Sequence, residues 1–142
     1  MQNTALKCDG ILSSDTVKTL QHFLNTRGGK KIAVDGQIKD GSFTDETLES
    51  LKSLLNEFRH RQARANAKVQ YDILGQKVLS IKQVKKLPDG FGTATIRAMQ
   101  AFLSANGSYC FGSGKFDKDT IISLQACLNL KVGQCANVEH TA

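Results

Sequence analysis

The side chains able to do chemistry in this 142-residue chain are few and scattered. Hydrolysis calls for a nucleophile beside a base, a bound metal, or two carboxylates at a set separation. The three histidines fall in unrelated contexts: His22 on the variable face of a helical stretch, His60 among arginines, and His140 near the chain end. No His-x-x-x-His or His-Glu-x-x-His occurs, the spacings that put zinc ligands on one helix face. Asp35 to Glu46 has acids at the first and last positions of a twelve-residue calcium loop, but its glycine comes one place late and Gln37 and Lys39 hold ligand positions. Gly28-Gly29-Lys30-Lys31 lacks the spacing of a phosphate loop. The reading is a non-catalytic protein with no metal and no cofactor.

Binding chemistry is better represented. Sugar polymers are gripped by an exposed aromatic face, which packs on C–H surface, beside amides and hydroxyls that bond the sugar's polar groups. Tyr109, Phe111, Asn106 and Ser108 cluster in one connection, Gln100 lies on the helical stretch before it, and Tyr71 stands in the middle of the chain. These six are the candidate ligand-binding residues, and Tyr109 is the one expected to be exposed. Phe111 has a second reading, as an apolar plug in the core.

Charge suggests a competing function. The formal charge of +6 is concentrated: residues 59 to 86 hold eight basic residues against Asp72 alone, a net +7, and the remainder is close to neutral. Arg59, Arg61, Arg64, Lys68, Lys82, Lys85 and Lys86 form the candidate basic patch, suited to nucleic acid, anionic lipid or anionic wall polymers. Against nucleic acid, the segment has no basic-aromatic interleaving, and the loops between helices are too long for a helix-turn-helix.

The elements that must position these groups are repeated. Thr16-Val-Lys-Thr-Leu-Gln-His-Phe-Leu24, Thr47 to Leu55, Thr95 to Leu103 and Thr120 to Leu128 share one pattern: Thr, an aliphatic, two variable residues, Leu or Met, Gln or Lys, one variable residue, an apolar residue, Leu. The apolar positions fall on one face of an α-helix. Helices are therefore predicted near 14–25, 45–58, 93–105 and 118–129. Leu20, Phe23, Leu24, Leu51, Leu55, Met99, Phe102, Leu103, Leu124 and Leu128 are predicted to be buried.

What leads into each helix repeats too. Asp9-Gly10, Asp40-Gly41, Asp89-Gly90 and Ser113-Gly114 read as the opening turn of each unit, followed by an apolar plug. Ser13, Thr44 and Asp117 stand where an N-cap belongs, and Asp15, Asp45, Glu46 and Asp119 complement the helix dipole. The units pair into two halves, and the connection inside the second pair is six residues shorter. Between the halves, Val69, Tyr71 and Ile73 alternate as a strand does, and Lys77 to Leu87 returns to a helical period. The fold class is all-α: a small helical bundle of one turn-plus-helix unit, arranged as two pseudo-repeated halves.

The lead-ins Asp40-Gly41-Ser42-Phe43 with Thr47, and Gly90-Phe91-Gly92 with Thr95, resemble those of the peptidoglycan-binding-like domain, a three-helix module attached to wall hydrolases. Val17, Leu20, Gln21 and Leu24 resemble that family's first helix, and Val34-Asp35-Gly36 its following loop. The second copy departs from the pattern, with Thr44 where the family has Gly. The resemblance implies a half at 8–58, a basic connection at 59–86, a second half at 87–130 and a tail at 131–142. It further implies a binding module for peptidoglycan or a related wall glycan, the alternative being a nucleic-acid-binding or protein-interaction domain using 59–86.

The opening Met1 to Gly10 has neither a secretory leader nor a transit pattern. The expected place is extracellular or wall-associated if a leader has been removed, and cytoplasmic otherwise. Membrane insertion is not expected, because the apolar runs are short. Cys8, Cys110, Cys127 and Cys135 allow three disulfide pairings. Cys127 occupies an apolar helical slot, where cysteine reads as a small hydrophobe. The others are read as flanking turns, which favours an oxidising compartment.

Overall fold

The first helical pattern, Thr16 to Leu24, becomes α1 (Ser14–Thr26), with Ser13 capping it through a hydrogen bond from the Thr16 N–H to Ser13 Oγ. This is a computed structural model, which describes residues 5–27, 30–65, 68–71, 73–80 and 84–140, the backbone alone at 68–71, 77–80 and 132–140. The remaining helices are α2 (Asp45–Ala65), α3 (Thr93–Ala105) and α4 (Lys118–His140). Thr44 and Asp117 cap α2 and α4 in the same way, accepting from the N–H groups of Thr47 and Thr120. α2 and α4 run well past their predicted ends at 58 and 129, so Cys135 lies within a helix and not beside a turn.

Two short antiparallel hairpins complete the elements of the described residues. β1 (Ile38–Lys39) pairs with β2 (Ser42–Phe43), and β3 (Lys68–Tyr71) with β4 (Lys77–Ser80) in the register Lys68↔Ser80 to Tyr71↔Lys77. The helical period read over Lys77 to Leu87 is thus corrected. Gly75, at φ +77°, turns the chain back, and β3 supplies backbone partners that a side-chain spacing cannot reveal. Residues 84–87 contain no helix.

The helices contact one another in sequence, α1 with α2, α2 with α3, α3 with α4, and α4 with α1. One continuous hydrophobic cluster draws on all four, including Leu24, Leu55, Met99, Leu103 and Leu128, each at most 1 % exposed. Every predicted core residue is buried except Phe102, which is half-buried with its ring 6.3 Å from that of Phe23 and 5.3 Å from that of Phe58. Three of the four plugs meet at one place: Phe43, Phe91 and Phe116 form a triangle of ring centroids separated by 5.0–5.4 Å. Tilted and edge-to-face packing of this kind adds about 0.5–1.5 kcal/mol per pair beyond area burial.

Buried glutamines tie three of the helices, α1, α3 and α4, to the turn ahead of a neighbouring helix. Gln125 on α4 accepts the Gly10 N–H and donates to Asp9, to the Ile11 carbonyl and to Thr16 Oγ1. Gln21 on α1 accepts the Gly36 N–H at 2.8 Å and donates to Asp35 and Thr47 Oγ1. Gln100 on α3 accepts the Gly114 N–H at 2.9 Å and donates to Ser113, to the Lys115 carbonyl and to Thr120 Oγ1. The glycines at these turns all have positive φ, and a Cβ on any of them would strike the first turns of the helix whose glutamine it meets.

This pattern corrects the opening turn of the second unit. Asp35-Gly36 meets Gln21, whereas Asp40 (φ +52°) and Gly41 (φ +72°) form the two-residue turn of the β1–β2 hairpin, inserted between that turn and α2.

Candidate functional site

The connection from α3 to α4 is pinned by short-range hydroxyl bonds. The Ser108 N–H returns to the Leu103 carbonyl, and Ser108 Oγ donates to the Ser123 carbonyl on α4 at 2.7 Å. Ser123 Oγ donates in turn to the Tyr109 carbonyl, and Ser104 Oγ both accepts from the Cys110 N–H and donates to the Cys110 carbonyl. Between these anchors residues 109–111 alternate out, in, out: Tyr109 is 78 % exposed, Cys110 is buried, and Phe111 is 74 % exposed. Two large exposed aromatics thus flank the buried Cys110, on a backbone anchored at Tyr109 and Cys110.

Beside them lies an open cleft of about 350 Å³, lined by Tyr109, Cys110, Phe111 and Ser113 and by Asp117, Asp119, Thr120, Ile122 and Ser123 of α4 and its approach. Asp117 Oδ1 is engaged as the α4 cap, on the Thr120 N–H and hydroxyl. Asp119 is exposed, and no basic side chain lines the cleft among the described residues. Aromatic faces with hydroxyls and carboxylate acceptors suit a hydroxyl-rich ligand. A polyanion would meet two carboxylates and no counter-charge.

Among the expected binding residues, Tyr109 and Phe111 come together at this cleft, and the plug reading of Phe111 is overturned by its exposure. Three of the other four, Asn106, Ser108 and Gln100, do not join them. Asn106 caps the end of α3, its Nδ2 donating to the Phe102 carbonyl at 2.7 Å. Ser108 is buried under the loop. Gln100 is fully buried, with its amide wholly engaged in the turn before α4, because the helix places it on the core-facing side. Tyr71 lies in β3, and its side chain is outside the described residues. Asp117, Asp119, Ile122 and Ser123 were missed as lining residues. The signal was available for the last two, since they occupy the variable, off-core positions of the helical pattern.

The basic patch is less coherent. Arg59 donates to the Lys85 carbonyl at 2.8 Å, which brings the far end of α2 beside the exposed Lys85 and Lys86. Arg61 pairs with Glu57 one turn back, and Arg64 is exposed near the α2 terminus. Lys68 is described by backbone alone, and Lys82 lies outside the described residues.

Cys8, Cys110 and Cys127 are free thiols, Cys8 exposed and the others buried, and burial pushes the Cys127 thiol up against a smaller opposing pull from Lys131. No group of three or more histidine, cysteine or acidic side chains converges among the described residues. The calcium-loop carboxylates are otherwise engaged, Asp35 by Gln21 and the Gln37 N–H, and Glu46 by the Ala33 N–H. No described helix is long and apolar enough to cross a membrane. No family model, curated protein or solved structure matches the chain.

Proposed function

We propose that the chain is a non-catalytic binding module for a neutral, hydroxyl-rich wall glycan, peptidoglycan or a relative of it, held at the Tyr109–Phe111 cleft. The observation that carries this is the pair of aromatics, 78 % and 74 % exposed, on a segment bonded at Ser104 and Ser123. A surface that spends hydrogen bonds to hold two apolar rings in water is pre-organised for a flat apolar face, and a pyranose ring supplies one. In this reading the four turn-plus-helix units are repeats paired into halves at 8–58 and 87–130, related to the peptidoglycan-binding-like domain.

The second reading is polyanion binding by the 59–86 segment, favoured by the Arg59 contact that gathers basic residues at the end of α2. Sedimentation with insoluble peptidoglycan separates the two. Under the glycan reading, binding survives moderate salt and the combined change of Arg59, Arg61, Arg64 and Lys68 to Gln. Tyr109→Ala and Phe111→Ala each weaken it by about 1 kcal/mol or more without changing the melting temperature. Polyanion contacts would instead give retention on heparin or DNA that falls steeply with salt and disappears in the quadruple variant.

A further inference from the structure

The end of α2 and the hairpin that follows it carry the chain's net positive charge, and the turn of that hairpin carries apolar surface. Residues 59 to 86 hold eight basic residues against Asp72 alone. Between β3 and β4 the chain runs through Ile73-Leu74-Gly75-Gln76, with Gly75 at φ +77° making the reversal. Asn, Asp, Gly and Ser suit such turns by their backbone preferences and local hydrogen bonds. Here two adjacent aliphatic side chains stand instead, Ile73 100 % exposed and Leu74 77 % exposed, and neither belongs to the hydrophobic core. Apolar side chains scattered singly over a surface are ordinary. A neighbouring pair at the tip of a hairpin leaves both in water and adds no burial to the fold.

The segment is fastened where it meets the body. Arg59 donates to the Lys85 carbonyl at 2.8 Å, the Leu87 N–H donates to Asn56 Oδ1 at 3.1 Å, and Leu87 is buried in the core. Both ends of the segment therefore lie against α2, and its Arg64, Lys85 and Lys86 are exposed. The register sets Lys77 opposite Tyr71, next to the turn, and Lys68 opposite Ser80, at the open end of the hairpin. Strands of four residues put tip and base about 13 Å apart. An apolar tip with cations along the segment behind it suits a bilayer with anionic headgroups, where acyl chains lie beneath a negatively charged plane. Nucleic acid offers the charge without the apolar layer and would leave Ile73 and Leu74 in water.

We infer that the β3–β4 hairpin docks the chain on an anionic lipid surface, with Ile73 and Leu74 entering the boundary between headgroups and acyl chains and the basic residues of 59–86 drawn to the headgroups. Two side chains reach only that boundary, so the docking is interfacial and nothing spans the bilayer. The inference names one target for the basic segment and does not rest on the glycan reading of the Tyr109 cleft.

The chain contains no tryptophan, so Ile73→Trp introduces a single reporter at the tip. Its emission should shift to the blue with vesicles of equal parts phosphatidylglycerol and phosphatidylcholine, and stay unchanged with phosphatidylcholine alone. The full chain should co-sediment with the mixed vesicles, and less so as salt rises. Ile73→Ser combined with Leu74→Ser should weaken that binding by about tenfold or more, the scale of returning aliphatic side chains to water, and leave retention on heparin unchanged. Should the double variant fail to fold, the tryptophan emission decides. Retention on heparin or duplex DNA with no vesicle binding overturns the inference while leaving polyanion binding by 59–86 standing. Absence of the blue shift, equal binding to phosphatidylcholine, undiminished vesicle binding in the double variant or an equal loss on heparin also overturns it. So does self-association of the chain that the double variant abolishes, which would put a second copy on the tip.

Discussion

Replacing Gln100 by Leu keeps the side chain's bulk and removes its amide, and the structure says which groups are then stranded. The Gly114 N–H is buried and loses its acceptor, at a cost of about 1–3 kcal/mol. Thr120 Oγ1 loses one bond worth about 1 kcal/mol but keeps Asp117 and the Lys115 carbonyl, so it is not orphaned. Ser113 Oγ retains the Lys115 N–H. The sum is about 2–4 kcal/mol, a large share of the roughly 5–15 kcal/mol that holds a domain folded. In urea this lowers the unfolding midpoint by on the order of 1–2 M at unchanged slope. Lys52→Leu, at the equivalent place on α2, removes no hydrogen bond and should stay within about 1 kcal/mol of the parent chain. If the two variants unfold at the same urea concentration, the glutamine bonds do not close the joints and the account of the fold fails.

The two kinds of positive-φ glycine turn should respond differently to a side chain. Gly114→Ala places a Cβ 2.7 Å from the Thr93 methyl at a φ of +77° and should cost more than about 1 kcal/mol by thermal melting, whereas Gly41→Asn, in open space on a hairpin tip that tolerates Asn, should be nearly neutral. Asp9 is held below the ordinary carboxyl value of 3.8 by the Ile11 N–H and then Gln125, and Asp35 by Gln21 and then the Gln37 N–H. A depressed folded pKa contributes stability that is complete above the unfolded value and is lost as pH falls through the folded one. Urea midpoints should therefore drop below about pH 4, and less steeply in Asp9→Asn and Asp35→Asn. Thiol labelling at neutral pH should modify Cys8 quickly and spare Cys127, whose burial disfavours the thiolate, until the chain unfolds; comparable rates in native protein would contradict the packing of α4.

The helices, their caps and the core were legible in the sequence because each rests on local chemistry. Apolar residues at helical spacing must share a face, and Ser13, Thr44 or Asp117 can reach only the N–H groups of its own first turn. The exposure of Tyr109 was legible for a similar reason, since it lies in a loop between two such helices, whereas the sequence left Phe111 open between exposure and burial. Three other features were decided by partners distant in the chain. Asp35-Gly36 and Asp40-Gly41 are alike as sequence, and only the arrival of Gln21 from α1 makes one a joint and leaves the other a hairpin tip. Lys77 to Ser80 has apolar spacing compatible with a helix, and it is a strand because β3 lies alongside to take its backbone bonds. Gln100, read beside Tyr109 as a glycan contact, turns inward because the amide can satisfy a buried glycine N–H and a threonine hydroxyl at once, and the cost of leaving either unbonded outweighs exposure to a ligand.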